Sequence, residues 1–159
     1  MVDLITVACD TGFRYSELLR INLNRDLDGD RLTCQATKND TVRTIPLTKR
    51  SMEILVKRGN LPFNNITERY KRDAWDYARI KMGYADDPQF TFHCTRHTCA
   101  SRLVQRGINI QVVQKWLGHK TINMTLRYAH LDDRNFIQGR NVLENISGDI
   151  KSDNYVSSR

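Results

Sequence analysis

The chain has 159 residues, 40% of them hydrophobic, enough for one domain with its own core and too few for two of ordinary size. Its formal charge is +7, and the excess lies in residues 1–128, where 21 Lys and Arg face 13 acids; residues 129–159 hold 4 against 5, so a polyanion would meet the body and not the tail. The opening MVDLITVACD lacks the basic region of a signal peptide, no apolar run approaches a membrane span, and Cys9, Cys34, Cys94 and Cys99 lack paired disulfide spacing, as expected of small buried filler in a reducing cytosol.

Leu4, Ile5, Val7 and Ala8 followed by Thr11-Gly12 read as a helix stopped by a left-handed glycine, with a second beginning at Ser16 and running to Ile21. Arg14 is thereby placed in the bend between them. From Asp26 to Leu47 the pattern becomes DLDGDRLTCQA, TKND and TVRTIPL, whose β-branched residues and turn-formers predict an antiparallel sheet of two or three strands with Lys38 at or near a hairpin tip. Helical periodicity returns over Thr48 to Arg58, and again from Ile66 through Tyr70, Ala74, Tyr77 and Ala78, with Asn65 and Glu68 as the capping pair and Tyr70 and Tyr77 on the apolar face. Gly83 to Gln89 is a loop. Helices follow over His93 to Arg106, Ile110 to Leu117 and Ile122 to Tyr128, the first two ended by Gly107 and Gly118. Asp133 to Asn145 reads as a tail helix carrying Phe136, Ile137, Val142 and Leu143, and SGDIKSDNYVSSR as a mobile end. The fold class expected is mainly α with a small antiparallel β-sheet (α+β), without internal repeats.

Six residues have the chemistry needed to break a phosphodiester without metal or water: Arg14, Lys38, His93, Arg96, His119 and Tyr128. Two planar, permanently charged guanidiniums suit an oxyanion-rich phosphorus centre, and Arg96 shares a helix face with His93 at i, i+3. A phenol with a pKa of about 10 attacks at neutral pH only if a neighbour takes its proton. The words TGFRYSELL, TFHCTRHTCAS, WLGHK and MTLRYAHL carry five of the six, with Lys38 in a polar turn between the first two. Together, over roughly residues 1–131, they resemble the catalytic domain of the tyrosine recombinase (phage integrase) family.

That resemblance implies a division of labour. Tyr128 is the nucleophile, His93 the general base, Lys38 the general acid for the departing 5′-oxygen, and Arg14, Arg96 and His119 hold the phosphate, with Glu17 bracing Arg14 or its helix. Lys120 and Arg43 are further candidate DNA contacts. His97, next to Arg96 and so turned about 100° from it round the helix, is expected to be a packing residue bonded to a backbone carbonyl. The family likeness further implies a 3′-phosphotyrosyl intermediate, no cofactor and no metal, double-stranded DNA as partner, a homotetramer on DNA with an exchanged or docked tail, accessory DNA-bending proteins, and a cytoplasmic, DNA-associated location, in a bacterial host if phage-derived. Residues 1–131 would be the catalytic domain and 132–159 a C-terminal helix and tail, with the family's N-terminal core-binding domain absent from this chain. Three rival readings are a type IB topoisomerase-like enzyme, a catalytically silent DNA-binding module, and a metal site from His93, Cys94, His97 and Cys99.

Overall fold

The computed structural model describes residues 1–35, 41–131 and 139–145. Helix α1 (Val2–Thr11) buries Leu4, Val7, Ala8 and Thr11, the i, i+3, i+4, i+7 stripe of an amphipathic helix, and packs on α6 (Cys94–Gln105) and α4 (Lys49–Arg58). Each Leu or Val side chain so buried contributes about 1.5–3 kcal/mol. Asp10 ties the end of α1 to the start of α4: its carboxylate accepts hydrogen bonds from Thr48 Oγ1 (2.6 Å), Ser51 Oγ (2.8 Å) and the Arg50 guanidinium.

After α1 come two single-turn helices, α2 (Tyr15–Leu18) and α3 (Leu23–Asp26), and a sheet of three antiparallel strands in the order β1 (Leu27–Asp28), β2 (Arg31–Cys34), β3 (Arg43–Pro46). The register pairs Leu32 with Ile45 and Cys34 with Arg43 on the inner face, while the Thr33 and Thr44 hydroxyls meet at 2.9 Å on the outer one. This is the strict alternation of a sheet with one solvated face. The β2–β3 connection is where Lys38 falls, and Lys38 lies outside the described residues.

Helix α5 (Glu68–Lys81) starts two residues later than the sequence pattern suggests, because Thr67, not Asn65, is the cap, extended and with its hydroxyl accepting from Tyr70 N (3.1 Å). It buries no residue fully. Its inward anchor is Trp75, whose indole donates to Phe90 O (2.8 Å) and whose ring stacks on Phe90; Tyr70 and Tyr77, expected on the apolar face, are 52% and 65% exposed.

Helix α7 (Ile110–Leu117) is capped by the Asn109 side chain, which accepts from Gln111 N (2.8 Å), and ends at Gly118. Helix α8 (Asn123–Leu126) and a 3-10 turn (Ala129–Leu131) close the body, and residues 139–145 are helical and exposed. The expected tail helix over 133–145 is thus described only in its second half. The core has two parts. One gathers α1, α2, α4 and the sheet around Phe13, Leu18, Leu32 and Leu55; the other gathers α6 and α7 around Ala100, Val104, Val113, Leu117 and Tyr128, and Trp116 packs against both.

Candidate active site

Arg14 is aimed by the bend that follows α1. Thr11 Oγ1 donates to Val7 O (2.7 Å) and accepts from Phe13 N (3.2 Å), and Gly12 turns with φ +67°, which leaves the chain one exit direction. A Cβ at Gly12 would also sit 2.7 Å from the buried Leu117 Cδ2, so a side chain here would meet both a positive φ and a packed neighbour. Arg14 then caps α2: its amide donates to Glu17 Oε2 (2.7 Å) and its Nη1 to Glu17 Oε1 (3.3 Å), so Glu17 braces both the helix and the guanidinium.

Glu17 is itself held from the other side. Its side chain is 1% exposed and accepts from Arg43 Nη1 (3.1 Å) and Nη2 (2.7 Å), a bidentate pair whose Arg43 Nε donates to Trp116 O (3.1 Å). Burial opposes the charge on Glu17, but the hydrogen bonds and charge of Arg43 and Arg14 outweigh it and hold the carboxyl below the usual carboxylate range. Arg43 lies 4.8 Å from the Phe13 ring centroid, under Gly118. The expectation of a DNA contact at Arg43 is therefore corrected: buried and committed to Glu17, Phe13 and Trp116, its guanidinium spaces the sheet from α2 and α7.

Arg96 is also buried. Its Nη1 donates to Gly12 O and its Nη2 to Leu117 O, both at 2.6 Å, tying the ends of α1 and α7 to α6. Arg14, His93 and Arg96 nonetheless open on one cleft of about 590 Å³, whose far wall is α5 with Lys71, Arg72 and Trp75. Lys71 Nζ pairs with Glu68 (2.6 Å) and sits 4.1 Å over the Tyr15 ring. His119 faces a second opening, between β3 and α7. There its backbone is clamped at both ends by Gln114, and its Nδ1 meets Thr125 Oγ1 at 2.8 Å, one turn before Tyr128. Lys120, beside it, is exposed.

Tyr128 is 6% exposed and packs in the second core. Its hydroxyl lies 2.6 Å from His97 Nδ1. His97 in turn stands edge-on to His93, with ring centroids 5.0 Å apart. Burial raises the Tyr128 phenol above its ordinary value against the opposing pull of Arg127 and Arg96. Burial lowers both histidines, aided at His93 by His97, Arg96, Arg14 and Arg127 and at His97 by Arg127 and Arg96. At neutral pH this leaves a protonated phenol facing a neutral imidazole.

Residues 3–135 match the sequence profile of the phage integrase family. The chain belongs to that family. It is 34% identical over 127 residues to the integrase of Haemophilus phage HP1, covering 80% of this chain and 36% of that one, and 33% identical over 132 residues to tyrosine recombinase XerA of Saccharolobus solfataricus, covering 80% and 45%. The chain thus spans less than half the length of these relatives. Its structure resembles the catalytic domain of bacteriophage HP1 integrase with a TM-score of 0.71 at 27% identity, over 87% of this chain and 79% of that one. It shares the fold of the Tn1549 transposon integrase, solved in complex with circular intermediate DNA, with a TM-score of 0.68 at 21% identity, over 91% and 59%.

Within this integrase fold, His97 is the residue the sequence misassigned. Its partner is the Tyr128 hydroxyl, not a backbone carbonyl. The signal was its i, i+4 spacing from His93, which places both imidazoles on one helix face, while adjacency to Arg96 suggested the opposite. The rival metal cluster does not assemble: Cys94 Sγ points to Gln89 O (3.2 Å) and Cys99 Sγ to Asp10 O (3.6 Å), burial pushing the Cys99 thiol up to about 12. Among the described residues no three His, Cys, Asp or Glu side chains are grouped to hold an ion, and no described helix is long and apolar enough to cross a membrane.

Proposed function

We propose that this chain is the catalytic domain of a site-specific DNA recombinase that cleaves and rejoins double-stranded DNA through a 3′-phosphotyrosyl intermediate. Tyr128 is the nucleophile, an imidazole at the start of α6, His93 or His97, takes its proton, and Arg14 and Arg96 bind the nonbridging oxygens of the scissile phosphate. His119 donates to the same phosphate, and Lys38 protonates the departing 5′-oxygen. The observation that carries this reading is the convergence of Arg14, His93 and Arg96 on one cleft beside an imidazole 2.6 Å from the Tyr128 hydroxyl. The excess of Lys and Arg in residues 1–128 suits a DNA partner, as does the DNA complex in which the Tn1549 transposon integrase was solved. Lys120 contacts the DNA backbone. Assembly as a tetramer on DNA, with residues after 131 docked on a neighbour, with accessory DNA-bending proteins and at DNA in the cytoplasm, belongs to the same proposal.

The chemistry needs no external energy, because the phosphotyrosyl bond preserves that of the phosphodiester it replaces. The test is incubation with a nicked suicide duplex and a denaturing gel. The wild-type chain forms a covalent adduct, equally with and without EDTA. Tyr128→Phe forms none, yet binds DNA within about threefold of wild type, since one hydroxyl adds little beside many phosphate contacts. Adduct in the Phe variant, or none in the wild type, overturns the reading.

A further inference from the structure

We propose that His97, rather than His93, is the general base that takes the Tyr128 proton, and that His93 is left to face the phosphate. The assignment rests on the recombinase reading and adds to it a catalytic residue outside the six that the sequence singled out.

Contact decides between the two histidines. His97 Nδ1 is 2.6 Å from Tyr128 Oη, a hydrogen bond at the short end for such a pair. His93 meets His97 ring to ring, edge-on at 5.0 Å, and lines the phosphate cleft, which His97 and Tyr128 do not. The chain thus orders three rings from the interior outward: phenol, imidazole of His97, imidazole of His93. With the phenol holding its proton, Tyr128 Oη donates and Nδ1 accepts, which fixes the His97 tautomer with its proton on Nε2.

The charges around His97 suit a reversible base. His93 at the N-cap of α6 and Arg96 on α6 face it, with Tyr128 and Arg127 from the segment that follows α8; Arg14 bears on His93. Burial and the two arginines keep His97 weakly basic, so it accepts a proton only while the phenol is losing it. In cleavage, Tyr128 Oη forms a bond to the scissile phosphorus, the bond from phosphorus to the 5′-oxygen breaks, the phenolic proton moves to His97 Nδ1, and the 5′-oxygen takes a proton from Lys38. In rejoining, a 5′-hydroxyl attacks the phosphotyrosine and gives its proton to Lys38, the bond from Oη to phosphorus breaks, and His97 returns its proton to the phenolate. A protonated imidazole beside Arg96 and Arg127 is strained by like charge, which favours that return.

Two variants separate proton uptake from positioning. His97→Asn keeps a polar atom near the place of Nδ1 to hold the phenol but cannot take its proton; His97→Ala removes both. Single-turnover adduct formation on the suicide duplex, followed from pH 5 to 9, is expected to slow by about 10² or more in both variants. The wild-type rate should rise with pH and level off below the ordinary imidazole value of 6.5, whereas the variant rates should keep climbing about tenfold per pH unit as hydroxide takes over the proton. Added imidazole should restore part of the rate in His97→Ala and none in Tyr128→Phe. A rate within about threefold of wild type in either variant, faster cleavage, or slowing with an unchanged pH profile and no response to imidazole overturns the assignment. These outcomes leave the recombinase reading standing if the wild-type adduct still forms on Tyr128; absence of that adduct removes both.

Discussion

Two walls of the domain, one buried and one exposed, hold their cations differently. On the wall built by α1, α2, β3, α6 and α7, Arg43 and Arg96 are buried and tied to a carboxylate or to backbone carbonyls at 2.6 to 3.1 Å. On the α5 wall Arg79 is likewise tied to Ala85 O and Asp87 O (both 2.7 Å) and Lys71 to Glu68 (2.6 Å), but the pairs Arg69 with Asp73 (3.7 Å) and Arg72 with Asp73 (3.6 Å) are long and lie between exposed side chains. The first wall fixes positions to fractions of an ångström, as transition-state stabilisation needs; the second supplies a field that salt screens and that tolerates motion. Identical residue types therefore do unlike work according to burial.

The largest effect should follow from breaking the buried wall at Arg43. Arg43→Ala leaves Glu17 charged, buried and short of its bidentate partner, a loss of about 3–5 kcal/mol, and it unseats Arg14. Urea unfolding would read this as a lower midpoint with an unchanged slope. A loss below about 1 kcal/mol would show that the two walls do not differ as claimed. Next comes Gly118→Ala. Its φ of +73° already disfavours a side chain, and the new Cβ would stand 2.8 Å from Arg43 Cδ, so about 1–3 kcal/mol is lost in the same assay and adduct formation slows through His119.

Acid should separate the walls more gently. Glu17 is depressed in the folded state, so the stability it contributes is complete above its ordinary 4.5 and is lost as pH falls through the folded value. Thermal melting from pH 6 to 3 should fall more steeply in wild type than in Glu17→Gln, and parallel curves would refute it. The smallest effect belongs to α5: Arg69→Ala should shift Tm by less than about 2 °C while weakening DNA binding in a salt-dependent way.

Much of this fold was legible because its punctuation is local. Gly12, Gly107 and Gly118 mark helix ends whatever lies around them, and the alternation in RLTC and RTIP marks strands. That same alternation puts Arg43 on the inward face with Ile45, a signal that its positive charge obscured. The single-turn α3 was not legible, since four residues carry no periodicity. On α5, the spacing of Tyr70, Ala74, Tyr77 and Ala78 suggested a core face, but the helix lies on the surface with Trp75 as its anchor, and no periodicity distinguishes an apolar stripe that is covered from one that is not. Of the site, Arg14, His93 and Arg96 share the cleft as their words suggested, and His119 meets Thr125, one turn before Tyr128. The contact between His97 and Tyr128 joins positions 31 apart in the chain, a pairing that only the packing of α6 against the segment after α8 creates.

The chain's two tryptophans fall one on each wall. Trp116 is fastened into the buried frame, its indole donating to Thr11 O (3.1 Å) and its carbonyl accepting from Arg43, while Trp75 stands in the cleft, stacked on Phe90. Nature has thus placed a separate fluorophore in each. In a Trp116→Phe chain the remaining emission should change as a duplex enters the cleft, and in a Trp75→Phe chain it should stay constant until the frame melts, so the arrival of DNA and the loosening of the scaffold become two optical signals from one molecule.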